Sequence, residues 1–325
     1  MRPTIKTNDI PVGVVGLGLM GSSIVVSLLL AGHPVKAIAP LENDIEVAPG
    51  RIRNHLLHCE KSGLLTQSVH WYIQQLTITE DYAQLQTCCL VLECVIEIPQ
   101  VKQSVYNKIE MAIGRHTVIA SNTSAIPITE LQGYVKHPDR FLGIHWAEPS
   151  YMTRFMEITC GAKTEGQHAD WIFTLAHHWG KEPTLLKKDL RGFVTNRLMY
   201  AIYREGLHLV EKGEASLEDV DKVFRYDAGS WMTLMGIFRR MDFMGLEDYS
   251  AILKESFLQL SNEEKVPATM QQMIDVKGRG IQNTTGLYAY TPEEAKKWDE
   301  AFALFNQEIF RLAALYPSVR QHHST

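Results

Sequence analysis

The chain has 325 residues, which is long enough for two domains. Of these residues 45% are hydrophobic and 21% charged, a composition typical of globular proteins. Its formal net charge of −5 supplies no positive field to hold nucleic acid or an anionic membrane surface. The longest apolar stretch, residues 24–31, is far shorter than the roughly 20 residues of a membrane span, and the N-terminus lacks the apolar segment of a signal peptide. These features exclude nucleic-acid-binding and membrane-spanning classes.

The cysteines indicate the compartment. Five are present, and they form neither a CxxC pair nor the regular framework of a disulfide-rich domain. They are Cys59, Cys88, Cys89, Cys94 and Cys160. Those beside the apolar run at residues 88–95 are typical of small buried side chains. We therefore predict a cytoplasmic protein without a metal site.

Short apolar runs alternate with longer amphipathic segments through the first half of the chain. This alternation predicts a mostly parallel β-sheet with helices on both of its faces. The predicted strands are residues 11–17, 35–39, 88–95, 118–120, 141–146 and 155–160, and the predicted helices are 20–31, 101–113 and an inserted segment at 44–65.

Strand signals stop after Asp189, and helical signals replace them. Residues 193–212 read as a long helix, and Ser216 and Asp219 have the spacing of a capping box. A second helix start lies at Thr291, which is followed by proline and then by glutamate at the third helical position. One helical face then follows, formed by Trp298, Phe302, Phe305, Ile309 and Leu312. We predict an α/β domain over residues 1–189 and a smaller all-α domain over residues 190–325.

A glycine-rich turn, GLGLMG, lies between the first predicted strand and the first predicted helix. Gly16 allows a tight turn, Gly18 lets the backbone approach a pyrophosphate, and Gly21 lets the helix pack against the strand. The first helical turn, which contains Leu19 and Met20, offers unpaired N–H groups and a positive dipole to the phosphates. Because the motif has a strand before it and a helix after it, we predict a dinucleotide site.

The second predicted strand ends without the acidic residue that commonly binds the adenosine ribose. The chain has Ala39 and Pro40 at this point. Glu42 lies slightly beyond, and it is equally well explained as a ribose ligand or as a solvated loop charge. No arginine follows the strand to bind a 2′-phosphate, which favours NAD as cofactor and leaves NADP open.

A histidine and a glutamate occupy neighbouring predicted strands. His145 lies near the end of strand 141–146, and Glu157 lies inside strand 155–160. If these strands form a hairpin centred on Tyr151, the two residues face each other. A carboxylate on one imidazole nitrogen leaves the other nitrogen free to exchange a proton. The spacing alone fits a structural pair equally well, but ligands bind at the carboxyl ends of strands in such sheets, which favours a catalytic pair.

Further polar residues follow other strands. Ser124 suits either a hydrogen bond to a substrate oxygen or ordinary turn formation. Asn196, near the start of a predicted helix, is either an ordinary polar residue or a residue of the cleft between the domains. Glu93 and Glu97 flank the end of the third strand, and Lys102 begins the next helix, a pattern that a surface ion pair explains.

Six stretches together resemble the L-3-hydroxyacyl-CoA dehydrogenase family. They are GVVGLGLMGS (13–22), VLECVIEIPQVKQ (91–103), ASNTSA (120–125), GIHWAEPS (143–150), FMEIT (155–159) and KDLRGFVTNRLM (188–199). Their order and spacing match the family from the N-terminus to about residue 250, which is more specific than any single motif. The resemblance implies a Rossmann-type doubly wound sheet followed by an all-α domain that completes the substrate cleft and forms a homodimer.

The resemblance also implies an activity, the interconversion of a 3-hydroxyacyl-CoA and a 3-ketoacyl-CoA with NAD in fatty acid metabolism. His145 is then the acid/base on the C3 oxygen and Glu157 its partner, whereas Ser124 and Asn196 are polar residues on the substrate side. The positions that match cofactor contacts are Gly16, Gly18, Leu19, Met20, Gly21, Glu97, Lys102, Ser124 and Glu148.

Three departures from the family pattern concern the cofactor and the substrate. The family's His-x-x-Asn-Pro has Glu148 in place of asparagine, and a carboxylate close to His145 would favour the protonated imidazole. The acidic ribose ligand is absent. Residues 286–291 (GLYAYT) are similar to the family's closing Gly-Phe-Tyr segment, and the basic residue that the family has shortly before it is Gln282 here.

The acyl group of the substrate stays open. Residues 228–239 form a longer stretch than in the short fatty-acid enzymes, similar to the lambda-crystallin (gulonate dehydrogenase) and carnitine dehydrogenase relatives, whose substrates are free hydroxy acids. Arg51, Arg53 and Lys61 are the only local candidates for the phosphates of coenzyme A, and a solvated helix face explains them as well.

Two other classes compete with an acyl-CoA or hydroxy-acid dehydrogenase. The 3-hydroxyisobutyrate dehydrogenase type has a lysine four residues after an asparagine, where this chain has Tyr200 after Asn196. A non-catalytic, lambda-crystallin-like relative would explain why the expected acidic, amide and basic residues are replaced by Ala39, Glu148 and Gln282. The histidine–glutamate pair argues against it, since a decayed site has no need to keep both residues.

Overall fold

The structure is a computed structural model that describes residues 6–313. For Glu42, Asp248, Asp299, Phe310 and Ala313 it describes the backbone alone. The possible ribose contact of Glu42 therefore lies outside the described part. Residues 1–5, which belong to the N-terminus predicted to lack a signal peptide, lie outside it as well. The chain divides after Asn196 into two compact units, and the functional domains predicted from the sequence stay predictions.

The described residues of the first unit form an eight-stranded sheet in the order β3-β2-β1-β4-β5-β6-β7-β8, in which all neighbours are parallel except β6 and β7. The strands are β1 (Val12–Val15), β2 (Val35–Ile38), β3 (Leu76–Thr79), β4 (Leu90–Glu93), β5 (Val118–Ser121), β6 (Phe141–Trp146), β7 (Phe155–Cys160) and β8 (Glu182–Leu186). The helices are α1 (Leu19–Leu30), α2 (Glu42–Lys61), α3 (Val69–Gln74), α4 (Pro99–Ala112), α5 (Ile128–Leu131) and α6 (Gly166–His178). The predicted doubly wound α/β fold is confirmed, whereas β3 and β8 have no counterpart among the predicted strands.

The core lies on both faces of this sheet. Successive side chains of a strand point to opposite faces, and accordingly Val14 belongs to one buried apolar cluster and Val15 to a second. Helix α1 is buried over residues 21–29, as expected of a helix that is apolar all round. The strand order reverses between β1 and β4, and the edge at their carboxyl ends is where such sheets bind ligands.

The described residues of the second unit are helical, and they form no strand longer than isolated bridges. The helices are α7 (Phe193–Glu211), which begins in the first unit, α8 (Leu217–Val223), α9 (Gly229–Met235), α10 (Ile237–Met244), α11 (Leu246–Ser256), α12 (Ala268–Asp275) and α13 (Pro292–Ala313). Both predicted caps are confirmed: the hydroxyl of Ser216 accepts from the Asp219 N–H at 3.1 Å, and that of Thr291 accepts from the Glu294 N–H at 3.2 Å. No described helix is long and apolar enough to cross a membrane.

Candidate active site

The turn between β1 and α1 has the geometry expected of a dinucleotide-binding loop. Gly16 has a positive φ of 97°, and a Cβ on Gly21 would lie 1.8 Å from the carbonyl oxygen of Gly16. These two glycines are therefore required by the turn itself. A Cβ on Gly18 would meet no described atom within 4 Å, so packing does not explain this glycine. Close approach of a ligand explains it, since Gly18 precedes the first residue of α1 and the N–H groups of Leu19 and Met20 have no partner within the helix.

Next to this turn, the structure shows neutral residues at the end of β2 and one arginine from α2. Ala39 is buried, so no acidic group is available directly after the strand. The guanidinium of Arg51 donates to the carbonyl oxygen of Leu17, inside the glycine turn. The interpretation of Arg51 as part of a solvated helix face is therefore wrong, whereas Arg53 and Lys61 are exposed on that face.

His145 and Glu157 lie opposite each other in the antiparallel pair β6–β7, as the hairpin spacing predicts. Nδ1 of His145 lies 3.1 Å from Oε2 of Glu157, and the side chains are 13% and 2% exposed. Because a carboxylate only accepts, this contact requires a proton on Nδ1 and leaves Nε2 to exchange a proton with a ligand.

The second oxygen of Glu157 is held by the start of α7. Oε1 accepts from the backbone N–H groups of Val194 at 3.1 Å and Thr195 at 3.0 Å. Burial alone would raise the pKa of Glu157, but the hydrogen bonds from His145 and from this backbone lower it overall. The carboxylate therefore stays ionised beside the imidazole.

Lys102 lies in a buried ion pair, which corrects the surface pair expected from the sequence. Its side chain is 1% exposed, and its Nζ lies 2.8 Å from Oε1 of the buried Glu93 and 3.2 Å from Oε2 of the 41% exposed Glu97. The hydroxyls of Tyr106 and Ser121 each donate to Glu93 at 2.7 Å. A buried charge needs such partners, which α4 and β5 supply.

The loop after β5 is joined both to this ion pair and to α7. The backbone N–H of Ser124 donates to Oε1 of Glu97 at 2.6 Å, and the side chain of Asn196 donates to the Ser124 carbonyl at 2.7 Å. The structure thus brings Ser124, Asn196, Glu97 and Lys102 together at the carboxyl edge of the sheet. Within this cluster the exposed groups are Ser124 and Glu97, whereas Lys102 is enclosed.

Glu148 lies three residues after His145, but no hydrogen bond or ion pair joins the two side chains in the described part of the chain. Glu148 instead contacts Ser23 of α1, and its Oε2 is buried without a described partner. Burial raises the pKa of Glu148 to about 7, against which the Ser23 hydrogen bond acts in the opposite direction. Near neutral pH this side chain therefore exists partly as a neutral carboxyl, which can donate a hydrogen bond as an amide does.

Replacing Glu148 with glutamine is expected to change how stability depends on pH. In the folded protein the Glu148 carboxyl has a pKa of about 7, whereas in the unfolded chain it has the ordinary value of 4.5. The stabilisation that comes from this proton is therefore complete below pH 4.5 and is lost as the pH rises through 7. Linkage gives about 3 kcal/mol for this shift between pH 4.5 and 8, and because solvent partly screens the half-buried carboxyl, the wild type should lose roughly 2 kcal/mol of unfolding free energy relative to Glu148→Gln. Urea unfolding at several pH values measures this difference, and a constant difference would contradict the burial of a titrating carboxyl.

Sequence reasoning missed several residues of this site. Tyr106 and Phe193 were not singled out, although Phe193 packs against the imidazole of His145. Residues 121–124 were considered for a substrate oxygen, whereas the Ser121 hydroxyl donates to Glu93. The only available signal was the position of Phe193 directly after a glycine. No group of three or more His, Cys, Asp or Glu side chains that could hold a metal occurs among residues 6–313.

Comparison with known proteins identifies the family. The model of the 3-hydroxyacyl-CoA dehydrogenase NAD-binding domain matches residues 11–190, and that of the C-terminal domain matches residues 192–290. The chain belongs to the 3-hydroxyacyl-CoA dehydrogenase family. It is an oxidoreductase that acts on CH–OH groups with NAD as cofactor. This family is distinct from the 3-hydroxyisobutyrate dehydrogenase type, so that alternative is wrong.

Two relatives differ in the substrates that their names state. The chain is 32% identical over 286 residues to the 5-formyl-3-hydroxy-2-methylpyridine 4-carboxylate 5-dehydrogenase of Mesorhizobium japonicum, covering 88% of this chain and 92% of the relative. A crystal structure of such an enzyme, described as an NAD⁺-dependent dismutase, is similar with a TM-score of 0.86 and 30% identity over 93% of this chain and 97% of the other. The 3-hydroxybutyryl-CoA dehydrogenase of Escherichia coli K12 gives a TM-score of 0.70 and 26% identity over 86% of this chain and 59% of the other.

Proposed function

We propose that this enzyme interconverts a 3-hydroxyacyl-CoA and the corresponding 3-ketoacyl-CoA, with His145 as the acid/base and Glu157 as its partner. The observation that carries the proposal is the 3.1 Å contact between Nδ1 of His145 and Oε2 of Glu157 at the carboxyl edge of the sheet. This contact supports a role in proton exchange with a substrate hydroxyl, since it leaves Nε2 of His145 available.

NAD fits the residues that would hold it. The glycine turn provides N–H groups at the start of α1, and Gly18 leaves room for the approach of a pyrophosphate. Glu97 and Ser124 are the exposed polar groups on the same edge, and we assign them to the ribose and nicotinamide side. When bound, NAD supplies the acceptor for the hydride that leaves the hydroxyl carbon.

The protein's own contribution to the reaction is to hold and move one proton. In the oxidation direction, Nε2 of His145 takes the proton of the substrate hydroxyl, and the imidazolium that results is stabilised by Glu157. Glu157 keeps its negative charge throughout, because two backbone N–H groups of α7 donate to it. In the reduction direction, the same nitrogen returns the proton to the carbonyl oxygen. Asn196 and Ser124 orient the substrate.

A second candidate is a dehydrogenase of a free carboxylic acid without coenzyme A. The observation that favours it is the greater similarity to the pyridine carboxylate enzyme, with a TM-score of 0.86 against 0.70 for the 3-hydroxybutyryl-CoA enzyme. Of the basic residues considered for the phosphates of coenzyme A, Arg51 is bound to the glycine turn, which leaves Arg53 and Lys61.

A matched substrate pair distinguishes these two functions. Purified enzyme with NADH should consume the reduced cofactor on addition of acetoacetyl-CoA and not on addition of acetoacetate. If NADH is consumed only with free keto acids or carboxylated aldehydes, the second candidate function is correct and the first is wrong. If NADH binds in calorimetry but neither substrate class is reduced, both assignments are wrong.

The subunit arrangement and the compartment also belong to this proposal. Trp298, Phe302 and Phe305 of α13 are 49%, 57% and 59% exposed, although they form one apolar helical face. A second copy of the chain that covers this face would make the homodimer that the resemblance implies. We base the proposed cytoplasmic location on the cysteine usage. We base the proposed role in fatty acid metabolism on the thioester substrate.

A further inference from the structure

The segment before α7 contains two consecutive residues in the left-handed region. Gly192 has φ 77° and Phe193 has φ 50°, and the Phe193 N–H donates to the Leu190 carbonyl to close a turn. Glycine adopts this conformation freely, whereas for a phenylalanine it is strained and requires compensation. Phe193 is 1% exposed, unlike Lys277 and Thr284, the other described non-glycine residues with positive φ. The strain is therefore located inside the molecule, beside the proposed active site.

The buried ring of Phe193 contacts the imidazole of His145. The two ring centroids are 5.8 Å apart with an interplanar angle of 43°. The ring of Phe155 contacts the same imidazole at 5.5 Å, at an angle of 87°. Because two aromatic rings pack against it, the imidazole has little freedom to rotate away from Glu157.

The same turn directs the backbone of α7 toward the carboxylate. The N–H groups of the next two residues, Val194 and Thr195, donate to Oε1 of Glu157, and the side chain of Asn196 donates to the Ser124 carbonyl. One turn thus determines both the ring that contacts His145 and the donors that hold its carboxylate partner.

We propose that Phe193 is a positioning residue for His145, held in its strained conformation by the Gly192–Phe193 turn. The inference rests on the proposed role of His145. Phe193 does not touch the reacting atoms. Its ring keeps Nδ1 on Glu157 and thereby keeps Nε2 directed at the substrate.

Phe193→Leu removes the ring and keeps an apolar side chain. We expect kcat to fall about 10- to 100-fold, as misplacement of a catalytic group does, with KM for NADH changed by less than about twofold because the glycine turn is untouched. In ¹⁵N NMR spectra of the imidazoles, the His145 signals should show a single tautomer with Nδ1 protonated in the wild type and a mixture of tautomers in Phe193→Leu. His145→Ala assigns these signals.

Phe141→Leu is the matched control, because Phe141 is a fully buried ring on β6, the strand of His145, and packs against Tyr106 instead of the imidazole. This control should lower the melting temperature without changing kcat or the tautomer. If Phe193→Leu behaves in the same way, the positioning role is overturned and Phe193 is merely a core residue. If Phe193→Leu does not fold, Phe193→Met provides the same comparison. The NMR measurement requires no turnover, so it gives its answer even where the proposed activity fails.

Discussion

Replacing His145 with alanine is expected to lower kcat about 10²- to 10⁴-fold, the usual contribution of a positioned acid/base. The physical reason is the geometry of its partner: with Glu157 fixed on Nδ1 at 3.1 Å, Nε2 is the atom available for the hydroxyl proton. The affinity for NADH should change little, because the glycine turn has no described contact with the imidazole. Steady-state rates in both directions, together with calorimetric titration of NADH, measure these two quantities.

An exposed histidine provides the control for this prediction. His116 lies on the surface, outside the strands of the sheet, and His116→Ala should retain the wild-type kcat. His145→Ala should remain folded but melt at a lower temperature than the wild type, because alanine leaves the buried Glu157 without one of its partners. A His145→Ala variant that turns over normally would mean that the reacting proton goes to another group.

The second large effect is expected at Gly18. Gly18→Ala should weaken NADH binding about 10- to 100-fold, equivalent to roughly 1.4–2.7 kcal/mol, and should leave the stability nearly unchanged. The added methyl group meets no described atom within 4 Å, and Gly18 has an ordinary φ of −61°, so the fold accepts it. The same methyl group occupies the space into which a pyrophosphate must come close to the backbone. Calorimetry and thermal unfolding separate the two effects.

Two other glycines make this test specific. Gly50 of α2 also has no described atom within 4 Å of its ideal Cβ, so Gly50→Ala should affect neither binding nor stability adversely. Gly21→Ala would place a methyl group 1.8 Å from the Gly16 carbonyl, and it should therefore lower the melting temperature as well as the affinity. Unchanged NADH affinity in Gly18→Ala would show that the cofactor does not approach this turn.

The central strands were predictable from the sequence, and the outer strands were not. β1 and β4 consist of residues that are all buried and, except for Glu93 at the end of β4, apolar or glycine, so each stands out in the sequence. β3 is half-buried throughout, and β8 alternates between exposed and partly buried residues and includes Glu182 and Pro183. Edge strands of this kind carry a weak pattern, because only tertiary pairing determines them.

The parts of the site that depend on local geometry were also predictable. The facing of His145 and Glu157 follows from hairpin spacing alone, and the glycine turn follows from its neighbours. The burial of Lys102 was not predictable, since it results from the packing of α4 against β4 and β5 around Glu93. The left-handed conformation of Phe193 was equally hidden, because phenylalanine has no intrinsic preference for it.

A double-mutant cycle tests most directly whether His145 and Glu157 act as one unit. Glu157→Gln alone should lower kcat/KM, since it removes the charge that stabilises the imidazolium and weakens the contact with α7. Once His145 is absent, Glu157 has no proton-exchanging partner, so the double variant His145→Ala/Glu157→Gln should match His145→Ala within about twofold in kcat/KM. A double variant whose loss equals the product of the two single losses would show that the residues contribute independently, and it would contradict the shared proton-transfer role.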